Sequence, residues 1–367
     1  MRILQLTSHL NVGGVTSSVV QLSAALARRR HRVMVASETG PLATRLRAEG
    51  VAHWRLPIHT SAEFSPRVWW AGEQLQIRLQ REPVDLLHAH TRVAQVLAQR
   101  LAERFQIPWV ATWHGFFRPN MGRRLWPCTG DRTIAISDPV REHLIKEFRV
   151  PPQQVVLIPH GIDPGLFSSP DPVAQQGLRA QCDLPKDSRV VGTVARLVRS
   201  KGVDVLIRAV PALRAAVPNV HVLIVGDGPE RGTLESLAAS LGVSSAVHFS
   251  GALERSDVAL SLMEVFAFLP ADHEGFGLSL LEAMASARPI VAVQQGGGSS
   301  WVLEESGIGQ LIDPRDSQGM AEAMVRWLQD PATAQAAGRA ARETLEQHYT
   351  LQRMVSQVES VYAELIS

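Results

Sequence analysis

The chain has 367 residues, 45% of them hydrophobic and 20% charged, with a formal net charge of +2. That length accommodates two domains, and the composition is ordinary for a soluble globular protein. The charge is too mild for a nucleic-acid binder, and no apolar run approaches the roughly 20 residues needed to cross a bilayer.

The N-terminus lacks a charged segment followed by an apolar one, so no secretory signal is read there. Cys128 and Cys182 stand 54 positions apart with no motif around either, which points to a reducing compartment. A cytoplasmic protein is expected, peripheral to a membrane at most. Arg28, Arg29, Arg30 and Arg32 cluster, as do Arg118, Arg123 and Arg124. The first group reads either as a solvated helix end or as a surface that meets an anionic lipid or acceptor.

Residues 2–7 (RILQLT) read as a buried strand, followed by a loop with Gly13 and Gly14, a helix over 16–29 and a strand over 31–37. The loop is not G-x-G-x-x-G, so a dinucleotide fingerprint is absent. Its glycines allow either a close phosphate or sugar approach or a plain tight turn. Further strands are expected at 52–56, 84–88, 109–113, 132–136 and 155–158, with helices such as 91–105 and 139–148 between them. This alternation predicts a parallel α/β sheet, whose ligands bind beyond the carboxyl ends of the strands. There the sequence places His88 and His90, on one face by the period of two, and His114 beside Gly115. A metal on the histidines is not expected, because no third ligand stands close in sequence; bonding of His88 and His90 to loop carbonyls is the plainer reading.

Turn formers fill 159–164, and polar residues and prolines continue to Pro185, which marks a domain boundary. A second α/β series follows. Its strands are expected at 189–195, 220–225, 246–249, 265–269, 290–293 and 309–312. Its helices are expected at 203–217, 230–241, 278–287, 317–328 and 332–348, with a last helix over 351–366. No short-period repeat is present, so a solenoid is not expected. Two doubly wound domains predict a cleft at their carboxyl edges.

Four features of the second half converge. Arg196 and Lys201 follow the opening strand, where two cations suit a developing diphosphate charge, although each alone reads as a solvated loop cation. Gly226-Asp227-Gly228-Pro229 closes an apolar strand, as a platform for a flat ring or as a common turn. Glu274 and Glu282 lie eight residues apart across the start of a helix near Gly277. The free N–H groups of that helix suit an anion, so Glu274 is better placed facing sugar hydroxyls than phosphate. Glu282 reads either as a ribose acceptor or as a solvated helix carboxylate. The glycine run Gly296-Gly297-Gly298 again follows a strand.

The segments HEGFGLSLLEAMA, RLVRSKG, LIVGDGPER, VHFSGAL, HAH and TWHG together resemble glycosyltransferase family 4 (group 1), the retaining GT-B enzymes, over nearly the whole chain. Of these, the E-x7-E pattern from Glu274 to Glu282 is highly specific, whereas GDGP and the glycine loop are not. The resemblance implies two Rossmann-like doubly wound domains facing across a cleft. Residues 1–165 would form the acceptor domain, with a helix over 350–367 crossing back to it, and 166–349 the nucleotide-sugar domain. It implies that Arg196 and Lys201 hold the diphosphate, Glu282 the ribose and Glu274 the sugar hydroxyls. Gly275, Phe276, Gly277 and Leu278 belong to the same donor loop, where Gly277 and Leu278 offer N–H groups to the phosphates; Gly226 and Gly228 complete the donor set. His114 would face the transferred sugar from the other domain, and Gly14 would touch phosphate or acceptor.

The chain departs from the family pattern at Ala195, where glycine is common, at Trp301, where the glycine loop usually supplies glutamate, and at Glu264, where aspartate is usual. No D-x-D occurs, so the cations and the helix end are expected to stand in for a metal. No cofactor is expected beyond a UDP- or GDP-linked sugar as donor substrate. The expected acceptor is a saccharide or a lipid-linked molecule, in cell-surface polysaccharide, lipopolysaccharide or glycolipid synthesis. The aromatic and basic stretches 59–70 and 116–126 suit either a membrane-surface acceptor or a mobile acceptor loop. A monomer or homodimer is expected. The alternatives are a GT-B sugar-nucleotide 2-epimerase, a non-catalytic nucleotide-sugar binding module and, disfavoured by the missing fingerprint, a nicotinamide oxidoreductase.

Overall fold

The computed structural model describes every residue except 61, 169–170, 271–273, 295–296 and 367. Ala271, Asp272 and His273 of the donor loop, and Gly296 of the glycine run, therefore lie outside the described residues. The chain divides into two compact units, Met1–Gly161 with Leu351–Ser367, and Ile162–Thr350.

The first unit opens with β1 (Arg2–Leu6), α1 (Gly14–Arg28), β2 (Arg32–Ser37), α2 (Leu42–Ala48), β3 (Ala52–Arg55) and α3 (Pro66–Arg81). It continues with β4 (Leu86–Ala89), α4 (Arg92–Phe105), β5 (Trp109–Trp113), α5 (Met121–Leu125), β6 (Arg132–Ala135), α6 (Asp138–Phe148) and β7 (Val155–Leu157). The seven strands form one parallel sheet in the order β3-β2-β1-β4-β5-β6-β7. Its central strands β4 and β5 are buried throughout, as expected for a parallel sheet covered on both faces.

The second unit contains α7 (Pro172–Gln181), β8 (Arg189–Val194), α8 (Val203–Ala216), β9 (Val220–Val225), α9 (Arg231–Ser240), β10 (Val247–Gly251) and α10 (Asp257–Leu262). It goes on with β11 (Val265–Phe268), α11 (Leu278–Ala285), β12 (Ile290–Val293), α12 (Gly298–Ser306), β13 (Gln310–Ile312), α13 (Ser317–Gln329) and α14 (Pro331–His348). Its parallel sheet runs β10-β9-β8-β11-β12-β13. Val203, Leu206, Ile207, Val210 and Leu213 recur at helical spacing along α8 and enter a core with Val191, Val222 and Val265. The final helix, α15 (Leu351–Ile366), returns to the first unit, where Val355, Val358 and Tyr362 join Val19, Leu22 and Leu26 of α1 in its core.

Each sheet reverses its winding once, between β1 and β4 and between β8 and β11. At such a switch point adjacent loops leave in opposite directions and open a crevice. The loops after β1 and β4 carry Gly14 and His90; those after β8 and β11 carry Arg196, Lys201 and Glu274.

Helices α10 and α12 were not expected, and two further segments differ from expectation. The polar boundary region holds helix α7, started by Asp171, whose carboxylate accepts the Val173 N–H at 2.9 Å, with Pro172 in the first turn. The aromatic and basic stretch near 120 contains the short helix α5, capped by Asn120, whose Oδ1 accepts the Arg123 N–H at 2.9 Å. Short capped helices carry too few apolar positions to show a period.

Candidate functional site

The second unit brings two of the expected residues into direct contact. Lys201 ends the 3-10 turn Arg199–Lys201 after β8, and its ammonium is ion-paired with Glu274, which follows β11. Both side chains are about a quarter exposed, at 30% and 23%. Arg196 stands exposed just past β8. Helix α11 starts four residues beyond Glu274, with neither a side-chain cap nor an acidic residue in its first turn. Among the described residues, the carboxylate held at these donors is that of Glu274.

Backbone pairing holds this arrangement. The Gly298 N–H donates to the Glu274 carbonyl at 2.8 Å, and Gly297, at φ 84°, pairs with Glu274 in a parallel bridge. A Cβ at Gly297 would lie 2.5 Å from that carbonyl oxygen. The glycine turn is thus the place where two loops approach closely enough to fix Glu274. Trp301, in the first turns of α12, is partly buried. Gly277 has φ 95°, and a Cβ there would meet Phe268 Cζ at 2.5 Å. Phe276 is buried at 2% exposure and anchors the loop rather than lining solvent.

The GDGP turn has a comparable structural purpose. A Cβ at Gly226 would stand 1.9 Å from the Ala195 carbonyl oxygen, and one at Gly228 2.3 Å from that of Leu197. The Leu197 N–H donates to Asp227 O, and the Glu230 N–H to Leu197 O, both at 3.0 Å. These glycines let the turn clasp the segment that carries Arg196. Glu264, the departure before β11, makes a forked ion pair with Arg189, with Nε 3.0 and 2.9 Å from its two oxygens.

Glu282 lies in α11 with its carboxyl desolvated, not solvated on a helix surface. Burial pushes its pKa up from 4.5 to about 7; a hydrogen bond from Ser256 Oγ at 2.7 Å partly opposes this, and Asp257 adds to it. Ser256 was not singled out by the sequence, since it lies 26 positions away without a motif.

In the first unit, His88 and His90 do share a face, with ring centroids 4.1 Å apart. Their partners are side chains rather than loop carbonyls. His88 contacts Tyr362 OH and Thr112 Oγ1, while His90 contacts Gln5 and His114. His114 uses both ring nitrogens, toward His90 at 3.1 Å and His160 at 3.2 Å. Gly14 begins α1. His160, Gln5 and Tyr362 were missed; the one available signal was that His160, like His114, is followed by glycine just past a strand. Among the described residues, no group of three His, Cys, Asp or Glu is placed to hold a metal ion.

Two doubly wound parallel sheets, with an ion-paired lysine, an exposed arginine and an uncapped helix start at the switch-point loops of the second, define a Rossmann-like α/β protein. Residues 175–344 match the family Glycosyl transferases group 1, and residues 12–166 match Glycosyltransferase Family 4. The chain belongs to this group 1/family 4 of glycosyltransferases and has its two-domain, Rossmann-like GT-B fold. A GDP-mannose-dependent alpha-(1-6)-phosphatidylinositol monomannoside mannosyltransferase of Mycolicibacterium smegmatis is 37% identical over 194 residues, 50% of this chain and 50% of that protein. The match thus spans half the length of that relative. A D-inositol 3-phosphate glycosyltransferase of Kineococcus radiotolerans is 29% identical over 383 residues, covering 90% and 86%. The crystal structure of Anabaena Alr3699/HepE in complex with UDP and glucose shares the fold, with a TM-score of 0.85 at 22% identity over 100% of both chains.

Proposed function

We propose that this protein transfers a sugar from a nucleoside-diphosphate sugar to an acceptor hydroxyl, with retention of configuration and without a metal. The observation that carries the reading is the Lys201–Glu274 pair beside the uncapped start of α11. In this reading the diphosphate takes the Lys201 ammonium, the Arg196 guanidinium and the N–H groups of Gly277 and Leu278. Glu274, released from Lys201, accepts from sugar hydroxyls, and Glu282 accepts from the ribose. His114 faces the sugar from the first unit, and Gly14 meets phosphate or acceptor.

The C1–O bond to phosphate breaks, and its electron pair leaves on the phosphate oxygen. Fixed cations and helix N–H groups stabilise that charge without reorganising. The acceptor oxygen bonds C1 on the same face, and its proton passes to the departing phosphate. Relatives that act on phosphatidylinositol mannosides support a lipid-linked acceptor. So do two exposed stretches of the first unit. There Trp69 and Trp70 of α3 and Met121 and Leu125 of α5 stand out to solvent, the last two 78% and 81% exposed. Arg67, Arg118 and Arg124 are exposed along the same two stretches. Exposed apolar side chains and exposed arginines along these stretches suit an anionic bilayer surface.

A panel of UDP- and GDP-sugars, scored by nucleotide release with and without glycolipid acceptors, tests this. Acceptor-dependent release with the new bond in the donor's anomeric configuration, and insensitive to EDTA, is expected. Inversion would refute the same-face step, loss of activity in EDTA the cationic site, and acceptor-independent turnover the transfer itself.

A further inference from the structure

We infer that Gln5 and Tyr362 are positioning residues that set the proton order of a hydrogen-bonded chain running from Ser18 through His160, His114 and His90 to His88 and Thr112. Its consequence for transfer rests on the reading above that His114 faces the sugar; the order itself does not.

The chain is continuous across five elements of the first unit, α1, β1, β4, β5 and α15, and the loop residues His90, His114 and His160. Ser18 Oγ lies 3.0 Å from His160 Nδ1, and His160 Nε2 lies 3.2 Å from His114 Nδ1. His114 Nε2 lies 3.1 Å from His90 Nδ1, and His90 Nε2 lies 2.6 Å from Gln5 Oε1. Gln5 Nε2 lies 3.2 Å from Tyr362 OH, which lies 2.5 Å from His88 Nδ1. His88 Nε2 ends the chain 2.7 Å from Thr112 Oγ1.

Gln5 is the one member whose two ends are chemically distinct, an accepting oxygen and a donating nitrogen. Its oxygen requires His90 to donate from Nε2, which leaves His90 Nδ1 as an acceptor. His114 must then donate from Nε2 and accept at Nδ1 from His160 Nε2–H. His160 Nδ1 in turn accepts the Ser18 hydroxyl hydrogen. On the other side, the Gln5 amide donates to the Tyr362 oxygen, and the phenol hydrogen has His88 Nδ1 as its acceptor. His88 Nε2–H then donates to Thr112. All four rings therefore carry hydrogen on Nε2, and every donor points from Ser18 toward Thr112.

The logic requires neutral rings, and their surroundings keep them so. Burial lowers all four, His88 to about 3 and His160 to about 4. His90 and His114 are lowered well below 6.5, first by burial and then by the neighbouring histidines. Glu359, on the same helix as Tyr362, is paired with Arg29 and His31. His114 thus stands at its strand tip as a neutral imidazole of fixed polarity, and Ser18 ties that polarity to α1, one turn from Gly14.

The test is nitrogen NMR of the full chain labelled with 15N-histidine, with signals assigned by single His→Gln variants. The expected spectrum at pH 7 shows the Nε2–H tautomer at all four rings. In Gln5→Met, His90 and His114 become tautomer mixtures, and kcat falls on the order of tenfold with the donor KM unchanged, as for outer-shell partners of other functional imidazoles. In Tyr362→Phe, His88 mixes while His114 keeps its order. Gln5→Glu, close in shape, takes the phenol hydrogen and turns His88 alone to Nδ1–H. An Nδ1–H tautomer at His90 or His114 in the native protein, or an unchanged pattern in Gln5→Met, overturns the proton order. Lost order with unchanged kcat overturns the positioning role. His114→Gln separates the two readings: full transfer by that variant removes His114 from the sugar site and leaves the proton order standing.

Discussion

Glu282 offers a quantitative test of the ribose assignment. Its carboxyl holds a proton up to about pH 7 because α11 buries it, and the Ser256 bond only partly compensates. Ribose hydroxyls donate, so the donor needs the ionised form. With one proton released on binding, donor affinity should fall about tenfold between pH 8 and pH 6. The stability sign follows from the same shift. A folded-state pKa raised from 4.5 to about 7 favours the folded chain at low pH. That advantage is lost as pH rises from 4.5 through 7, and the loss is complete above it, at about 3 kcal/mol. Glu282→Gln should therefore gain up to about 3 kcal/mol at pH 8 and almost nothing at pH 4, while binding donor more weakly and with a flat pH profile. Calorimetric titration of UDP and GDP, beside denaturant melts at both pH values, reads both effects. A native affinity independent of pH, or a Gln variant that binds as tightly as native at pH 8, would refute the assignment.

Lys201→Ala should lower transfer on the order of 100- to 1000-fold, as loss of a fixed transition-state donor does elsewhere, read as kcat at saturating donor. Glu274→Gln should lose activity while keeping nucleoside-diphosphate affinity, because its proposed partner is the sugar; retention of full transfer sinks that role. Gly277→Ala, strained by φ 95° and by Phe268 at 2.5 Å, should cost roughly 2–4 kcal/mol in denaturant melts. Replacing Trp69, Trp70, Met121 and Leu125 together by serine should abolish sedimentation with anionic vesicles and leave transfer to a detergent-free soluble acceptor unchanged; persistent vesicle binding would remove these stretches from the account.

The sheets were the most legible part of the chain. Strands such as VFAF and IVAV are buried on both faces, so each appears as an unbroken apolar run. Glu274, Gly277 and Glu282 were legible because one loop and one helix carry them at fixed spacing. What the sequence hid was pairing at a distance. Lys201 meets Glu274 across 73 positions, Ser256 meets Glu282 across 26, and Gln5 meets Tyr362 across 357. No local period encodes such contacts; the order of strands around each switch point creates them. The glycines of GDGP and of the run before α12 were visible, but their reason was not. They make room for the backbone carbonyls of Ala195, Leu197 and Glu274, which lie far from them in sequence.

A crystal structure of the full chain with its nucleoside-diphosphate sugar tests the central claim most directly. The account predicts the diphosphate within hydrogen-bonding distance of the Lys201 ammonium and the Gly277 and Leu278 N–H groups, with Glu274 turned to the sugar. A diphosphate bound elsewhere, with the Lys201–Glu274 pair intact, would contradict it.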